Sequence, residues 1–130
     1  MRGFILIVLI IISIGIGFSH YFNSGKFQQY LDNHPEISWV PRAQYYVGQY
    51  YFLRNDHTRS IDAVDRILTV HPKSVYAQKG LYLKCKNFEY LKQWNDAYEC
   101  YQLYLKTYPD DPQKEEVIRR KITRLQDFVY

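Results

Sequence analysis

The chain has 130 residues, with 17 Lys and Arg against 13 Asp and Glu and a formal net charge of +4, so an apolar start leaves room for one small domain. Acidic and basic residues interleave, so no field suited to nucleic acid builds up, and nucleic acid is set aside as a partner. The two cysteines, Cys85 and Cys100, exclude a cysteine-rich scaffold and form no C-x-x-C motif for zinc or dithiol chemistry.

Residues 3–22 read GFILIVLIIISIGIGFSHYF, without one charged side chain. A helix of that length spans about 30 Å, the thickness of the bilayer hydrocarbon core. Residues 1–22 are therefore expected to be a transmembrane signal anchor, with the membrane contact made by residues 3–22. The competing reading is a secretory signal peptide whose apolar part ends near Ile16 and whose cleavage site uses Gly17 and Ser19. Against it, the positive start is only Arg2 and the terminal amine, and the apolar run continues through Phe18. No cysteine precedes Cys85 to carry a lipid. The charges flanking the span are Arg2 on one side and Lys26, Asp32 and Glu36 on the other, which favours a cytoplasmic N-terminus. The expected location is a bacterial inner membrane with the following domain in the periplasm. Residues 23–40 are expected to be a connecting helix and linker, continuing the anchor helix through a weak point at Asn23-Ser24-Gly25.

One pattern then occurs three times: Phe27-x-x-Tyr30-Leu31-x-x-His34-Pro35, Val64-x-x-Ile67-Leu68-x-x-His71-Pro72 and Tyr101-x-x-Tyr104-Leu105-x-x-Tyr108-Pro109. The closing prolines fall 37 residues apart, a period that signals stacked helical repeats. Pro41 suits the start of the first hairpin, Ala43, Val47, Tyr50 and Tyr51 lie on one helical face, and Gly48 permits close approach of a second helix. Asn55-Asp56-His57-Thr58 breaks and caps, and Ile61, Val64, Ile67 and Leu68 make the returning stripe. In the second hairpin Ser74 caps, Ala77, Leu81, Cys85 and Phe88 face inward, and Trp94, Ala97, Tyr101 and Tyr104 return. Ala77 follows Ala43 by 34 residues, so the turn around Glu89 to Gln93 is expected to be three residues longer than its predecessor. Asp111-Pro112 opens a last helix reaching about Phe128, with Val117, Ile118, Ile122 and Leu125 inward and the pairs Glu115–Arg119 and Glu116–Arg120 outward. The expected fold is all-α: a transmembrane helix, then over residues 41–130 a short α-solenoid of antiparallel helix pairs with a C-terminal capping helix.

Helix pairs that close on proline, with a small residue twelve positions earlier, resemble tetratricopeptide repeats. Here the small residue is Ser60 before Pro72 and Ala97 before Pro109, the glycine is Gly48, and Tyr51 follows it. His57 stands in the first repeat where Trp94 supplies an aromatic in the second, and Tyr82 stands where a second glycine is expected. The turns Pro72-Lys73-Ser74-Val75-Tyr76-Ala77 and Tyr108-Pro109-Asp110-Asp111-Pro112 are similar to those of the tetratricopeptide lipoprotein of the bacterial outer-membrane barrel-assembly machinery and its periplasmic relatives, although no lipidation cysteine is present. The resemblance implies a concave surface built from the first helix of each pair, lined by Arg42, Tyr45, Gln49, Tyr76, Lys79, Leu83 and Lys86. Such a groove suits an acidic or C-terminal peptide segment, with charge for orientation and rings for contact area.

The expected function is therefore a membrane-anchored adaptor or scaffold for protein partners in an envelope or membrane complex. The alternative is a small structural accessory subunit held permanently in a multisubunit membrane complex. No nucleotide-binding, hydrolase or metalloprotease motif occurs, so no enzyme, cofactor or small-molecule substrate is expected. His20, His34, His57 and His71 lack metal spacing, and His34 and His71 are equivalent by the repeat. Arg119-Arg120-Lys121 with Arg124 is the densest basic run, read first as a solvated face and second as a contact for anionic lipid or an acidic partner. In an antiparallel hairpin Cys85 and Cys100 lie at similar heights, and two buried free thiols are favoured over a disulfide.

Overall fold

The computed structural model describes residues 1–129; Tyr130, the last residue of the expected repeat domain, lies outside them. Among the described residues there are seven helices and no strand. The chain divides into two compact units, Met1–Ile37 and Ser38–Tyr130.

In the first unit α1 (Arg2–Asn23) buries none of its residues. Its Ile, Leu and Val side chains, with Phe4 and Phe18, stand exposed, and each would gain roughly 1.5–3 kcal/mol on leaving water. With a mean hydropathy of 2.4 it is long and apolar enough to cross a membrane, as a signal sequence also is. The helix does not run on into the next one. Gly25 takes φ +82°, the left-handed region that glycine enters without a side-chain clash, and serves as N-cap of α2 (Lys26–Asn33). The Phe27 ring then meets those of Phe18 and Phe22, both at 5.9 Å.

The second unit holds α3 (Val40–Leu53), α4 (His57–Val70), α5 (Val75–Tyr90), α6 (Trp94–Thr107) and α7 (Pro112–Leu125). Each helix packs on the next, and α3 also packs on α5. That last contact stacks one hairpin on the other. Local chemistry sets the helix starts: Asp56 accepts from the Arg59 N–H at 3.2 Å, Ser74 from Tyr76 at 3.1 Å and Asp111 from Lys114 at 3.2 Å. The ends of α2, α4 and α6 are alike, since His34, His71 and Tyr108 take φ/ψ of −128/56°, −127/53° and −126/68° before their prolines. The threefold sequence pattern is thus one C-terminal backbone conformation written three times.

The second unit departs from the sequence reading at its first turn. Residues 54–56 and 91–93 are equally long, and both use a left-handed residue, Asn55 at φ 59° and Lys92 at φ 57°. Both close with the same long-range bond, Asp56 N–H to Tyr51 O at 2.9 Å and Gln93 N–H to Phe88 O at 3.0 Å. The second turn is therefore not the longer one; α5 itself has 16 residues against 14 in α3. In this register Val40 and Gln44, both buried, match Ala77 and Leu81, while Ala43 is only half-buried. Cys85, not Tyr82, takes the place of Gly48. Val117, expected inward, is exposed, and α7 stops at Leu125 rather than Phe128.

The core follows the same 37-residue offset. Ser60, Ala63, Val64 and Ile67 on α4 are buried like Ala97, Cys100, Tyr101 and Tyr104 on α6, and Ile118 and Leu125 of α7 close the stack. In the first hairpin Ser60 Oγ donates to the Gly48 carbonyl at 2.7 Å, a bond that needs the close backbone approach Gly48 allows. Asn87 joins the hairpins: its amide donates to Ser60 Oγ and to the Leu83 carbonyl, both at 2.9 Å, and its oxygen accepts from His57 Nδ1–H at 2.9 Å. In the second hairpin the sulfurs of Cys85 and Cys100 are bonded, with Cα atoms 5.3 Å apart. This corrects the expectation of two free thiols. The antiparallel pairing of α5 and α6 brings the two Cα atoms within the range that a disulfide spans.

Candidate partner-binding surface

The first helices of the pairs carry a row of rings and cations. On α3 the Arg42 guanidinium lies 5.8 Å from the Tyr46 ring, and Gln49 Nε2 donates to the Tyr45 hydroxyl at 2.6 Å. The Tyr45 ring meets that of Tyr76 on α5 at 5.8 Å, and Lys79 Nζ sits 5.3 Å from Tyr76. Tyr45, Gln49, Tyr76 and Lys79 are thereby brought together. Lys86 lies further along, its Nζ 5.1 Å from Phe52 and 5.3 Å from Tyr82. Leu83 does not belong to the surface: it is 1% exposed, and its Cδ2 sits 3.4 Å from where a Cβ on Gly48 would stand.

Around Tyr82 the charges concentrate. Lys114 and Lys121, both from α7, bring their Nζ atoms to 4.6 and 5.5 Å from the same ring that Lys86 approaches. Burial, then the neighbouring Lys121 and Lys114 charges, lower the Lys86 pKa, and Glu89 opposes them. Glu89 is already shared. It accepts from the Tyr101 hydroxyl at 2.9 Å and from Lys121 Nζ at 3.2 Å, and its other oxygen meets Arg124 at 3.4 Å. Burial, followed by the Glu89 charge and hydrogen bond, pushes the Tyr101 hydroxyl well above the usual tyrosine range.

Reasoning from the sequence missed Phe52, Tyr82, Lys114 and Lys121. The signal was present: a 37-residue register pairs Arg42 with Lys79, Tyr45 with Tyr82 and Gln49 with Lys86, whereas an offset of 34 does not. Outside this row, a cleft of about 310 Å³ is lined by Glu89, Tyr90, Trp94, Arg124, Leu125 and Phe128. Among the described residues no group of three or more His, Cys, Asp and Glu is placed to hold a metal.

The decisive geometry is α5 and α6 as an antiparallel pair, with Ala97 buried twelve residues after Cys85 and Pro109 closing α6. Residues 81–111 match the tetratricopeptide repeat family. No curated protein matches the chain. The matched stretch begins within α5 and ends at the cap of α7, and α3 with α4 forms a tetratricopeptide-like pair in the same register. Tetratricopeptide repeats are typically protein-interaction modules rather than enzymes, and the matched repeat suggests a role in protein–protein interaction.

Proposed function

We propose that the chain is a membrane-anchored tetratricopeptide adaptor that recruits a protein partner to the face formed by α3 and α5. The observation that carries this reading is the Tyr45–Tyr76 contact flanked by Gln49 and Lys79, a surface of rings and charge that contributes nothing to the helix core. Exposed α1 supports the anchor. The Cys85–Cys100 bond supports an oxidising compartment for the repeats, because such bonds persist there and are reduced in the cytosol. With Arg2 on the cytoplasmic side, that compartment is the far side of the membrane, and the turn similarity to the barrel-assembly lipoprotein favours a bacterial periplasm.

The test is partner capture in membranes by cross-linking, comparing the wild type with Tyr45→Ala/Lys79→Ala. Truncating an aromatic anchor costs about 2 kcal/mol, roughly a thirtyfold loss of affinity, so the variant should lose its partner with helicity unchanged. Equal recovery would rule the α3–α5 face out.

A permanently bound accessory subunit is the second reading. Two pairs and a cap fall near the lower limit for a self-sufficient stack, and Leu53, Val70, Val75 and Leu103 are exposed. Extraction in neutral detergent followed by sizing separates the two: an adaptor elutes alone after a salt wash, a subunit with stoichiometric partners.

A further inference from the structure

Aromatic rings gather where α1 ends. Phe18, Tyr21 and Phe22 sit on one side of its last turns, and Phe27 of α2 meets them at centroid distances of 5.9, 6.4 and 5.9 Å. In an unbroken helix Phe27 would stand about 13 Å further along the axis than Phe18, so the left-handed Gly25 turns α2 off the line of α1. Tyr30 follows on the same face of α2, its ring stacked on that of His34 at 4.2 Å. The cluster is only partly enclosed: Phe18 is 57% exposed, Tyr21 39% and Tyr30 37%. Leu31, the third apolar residue of that face, is already buried, so the open area consists of rings. At about 100° per residue Gln28, Gln29 and Asp32 fall on the opposite side, where Gln28 Nε2 donates to Asp32 Oδ1 at 2.9 Å. α2 is therefore amphipathic, and its apolar side joins the rings that end α1.

We infer that α2 lies in the headgroup layer of the bilayer that α1 crosses, with Phe18, Tyr21, Phe27 and Tyr30 at the boundary between headgroups and acyl chains. The inference rests on the proposed reading of α1 as a retained span, and it adds a second membrane contact beyond residues 3–22. A rise of 1.5 Å per residue carries α1 from Gly3 to Phe22 over about 30 Å, so its last rings reach the level where the hydrocarbon core ends. Tyrosine is favoured at that depth, because its ring meets an apolar layer and its hydroxyl a wet one. Lys26, exposed at the start of α2, places its charge where lipid phosphates lie. The eight residues of α2 bury too little apolar area to hold a membrane alone. Tethered by α1, however, they make the second contact intramolecular, at a high effective concentration. Interfacial anchors of this kind set the depth and tilt of a span.

The experiment places nitroxide labels on the full chain in nanodiscs of phosphatidylethanolamine and phosphatidylglycerol, one at a time through Ile11→Cys, Gln29→Cys, Tyr30→Cys and His34→Cys. The native sulfurs are bonded to each other and buried, and take no label. Collisions with oxygen, which partitions into lipid, and with a water-soluble nickel chelate give the depth of each label. The Ile11 label should read the hydrocarbon core, and the Tyr30 label should lie roughly 10 Å deeper than the Gln29 label, about one helix diameter. His34→Cys leaves every Phe and Tyr of the cluster in place and should follow Tyr30, which covers the case in which loss of the Tyr30 ring itself lifts the helix. Nickel collisions at Tyr30 and His34 equal to those at Gln29 would overturn the inference; with Ile11 still in the core, the anchor stands without it. Labels at Tyr30 and His34 shielded from oxygen and nickel alike are covered by protein and not by lipid, which overturns it as well. An Ile11 label open to nickel, or lost with a cleaved segment, removes the anchor and this inference together.

Discussion

Tyr101 carries a clear electrostatic consequence at the scale of one residue. It is fully buried, and its hydroxyl donates to Glu89, so the phenolate is disfavoured in the folded state and the folded pKa lies above the unfolded one. A raised folded pKa stabilises the fold fully below the unfolded value near 10 and loses that stability as pH rises above it. Tyr104 and Tyr108 shift in the same direction, chiefly through burial. Lys86 has the opposite sign: its folded pKa is lowered, so its contribution improves as pH rises through that value. Urea midpoints should therefore fall above pH 10, by about 1.4 kcal/mol per pH unit for Tyr101 alone. Tyr101→Phe should flatten the slope; an unchanged slope would show that the buried hydroxyl ionises freely.

At the scale of elements, the small residue at each helix crossing and the left-handed residue at each turn bear the strain. Ala97 is fully buried, and Ala97→Trp should lower the stability of the second hairpin by roughly 1 to 3 kcal/mol or more, because a close-packed contact cannot absorb the volume. An unchanged thermal midpoint would contradict that packing. Lys92 holds φ 57° without the side-chain chemistry that lets Asn55 tolerate it. Lys92→Gly should raise the midpoint by about 1 kcal/mol of stability, read in the same melts. The helices, their caps at Ser74 and Asp111 and the proline-closed ends were legible in the sequence, because each rests on local chemistry. The register of α3 against α5 was not. Ala43 and Ala77 look equivalent by eye, yet burial selects Val40 and Ala77, the 37-residue spacing that the closing prolines carry and that the matching alanines mask. The same slip hid Tyr82 from the surface and put Leu83 on it. Lys114 and Lys121 were hidden for a different reason: a capping helix was read for its core and outer faces, and its contribution to the first-helix surface depends on how it folds back.

For the whole molecule, whether α1 stays on the chain decides where everything else acts. N-terminal sequencing of the purified protein should find Met1 or Arg2; a start near His20 would show that α1 is removed and the repeats are released. If α1 stays and a load is carried through the far end of the repeats, the molecule is a tether between the bilayer and whatever holds that end. The Cys85–Cys100 bond then has a mechanical consequence. It closes a ring over a sequence separation of 15, so the tensile path crosses from α5 to α6 through sulfur and bypasses the turn at Lys92. Pulled from both ends, the oxidised chain should reach a contour length about 50 Å shorter than the reduced one, and the bypassed loop should bear no load at any force below that which breaks a covalent bond.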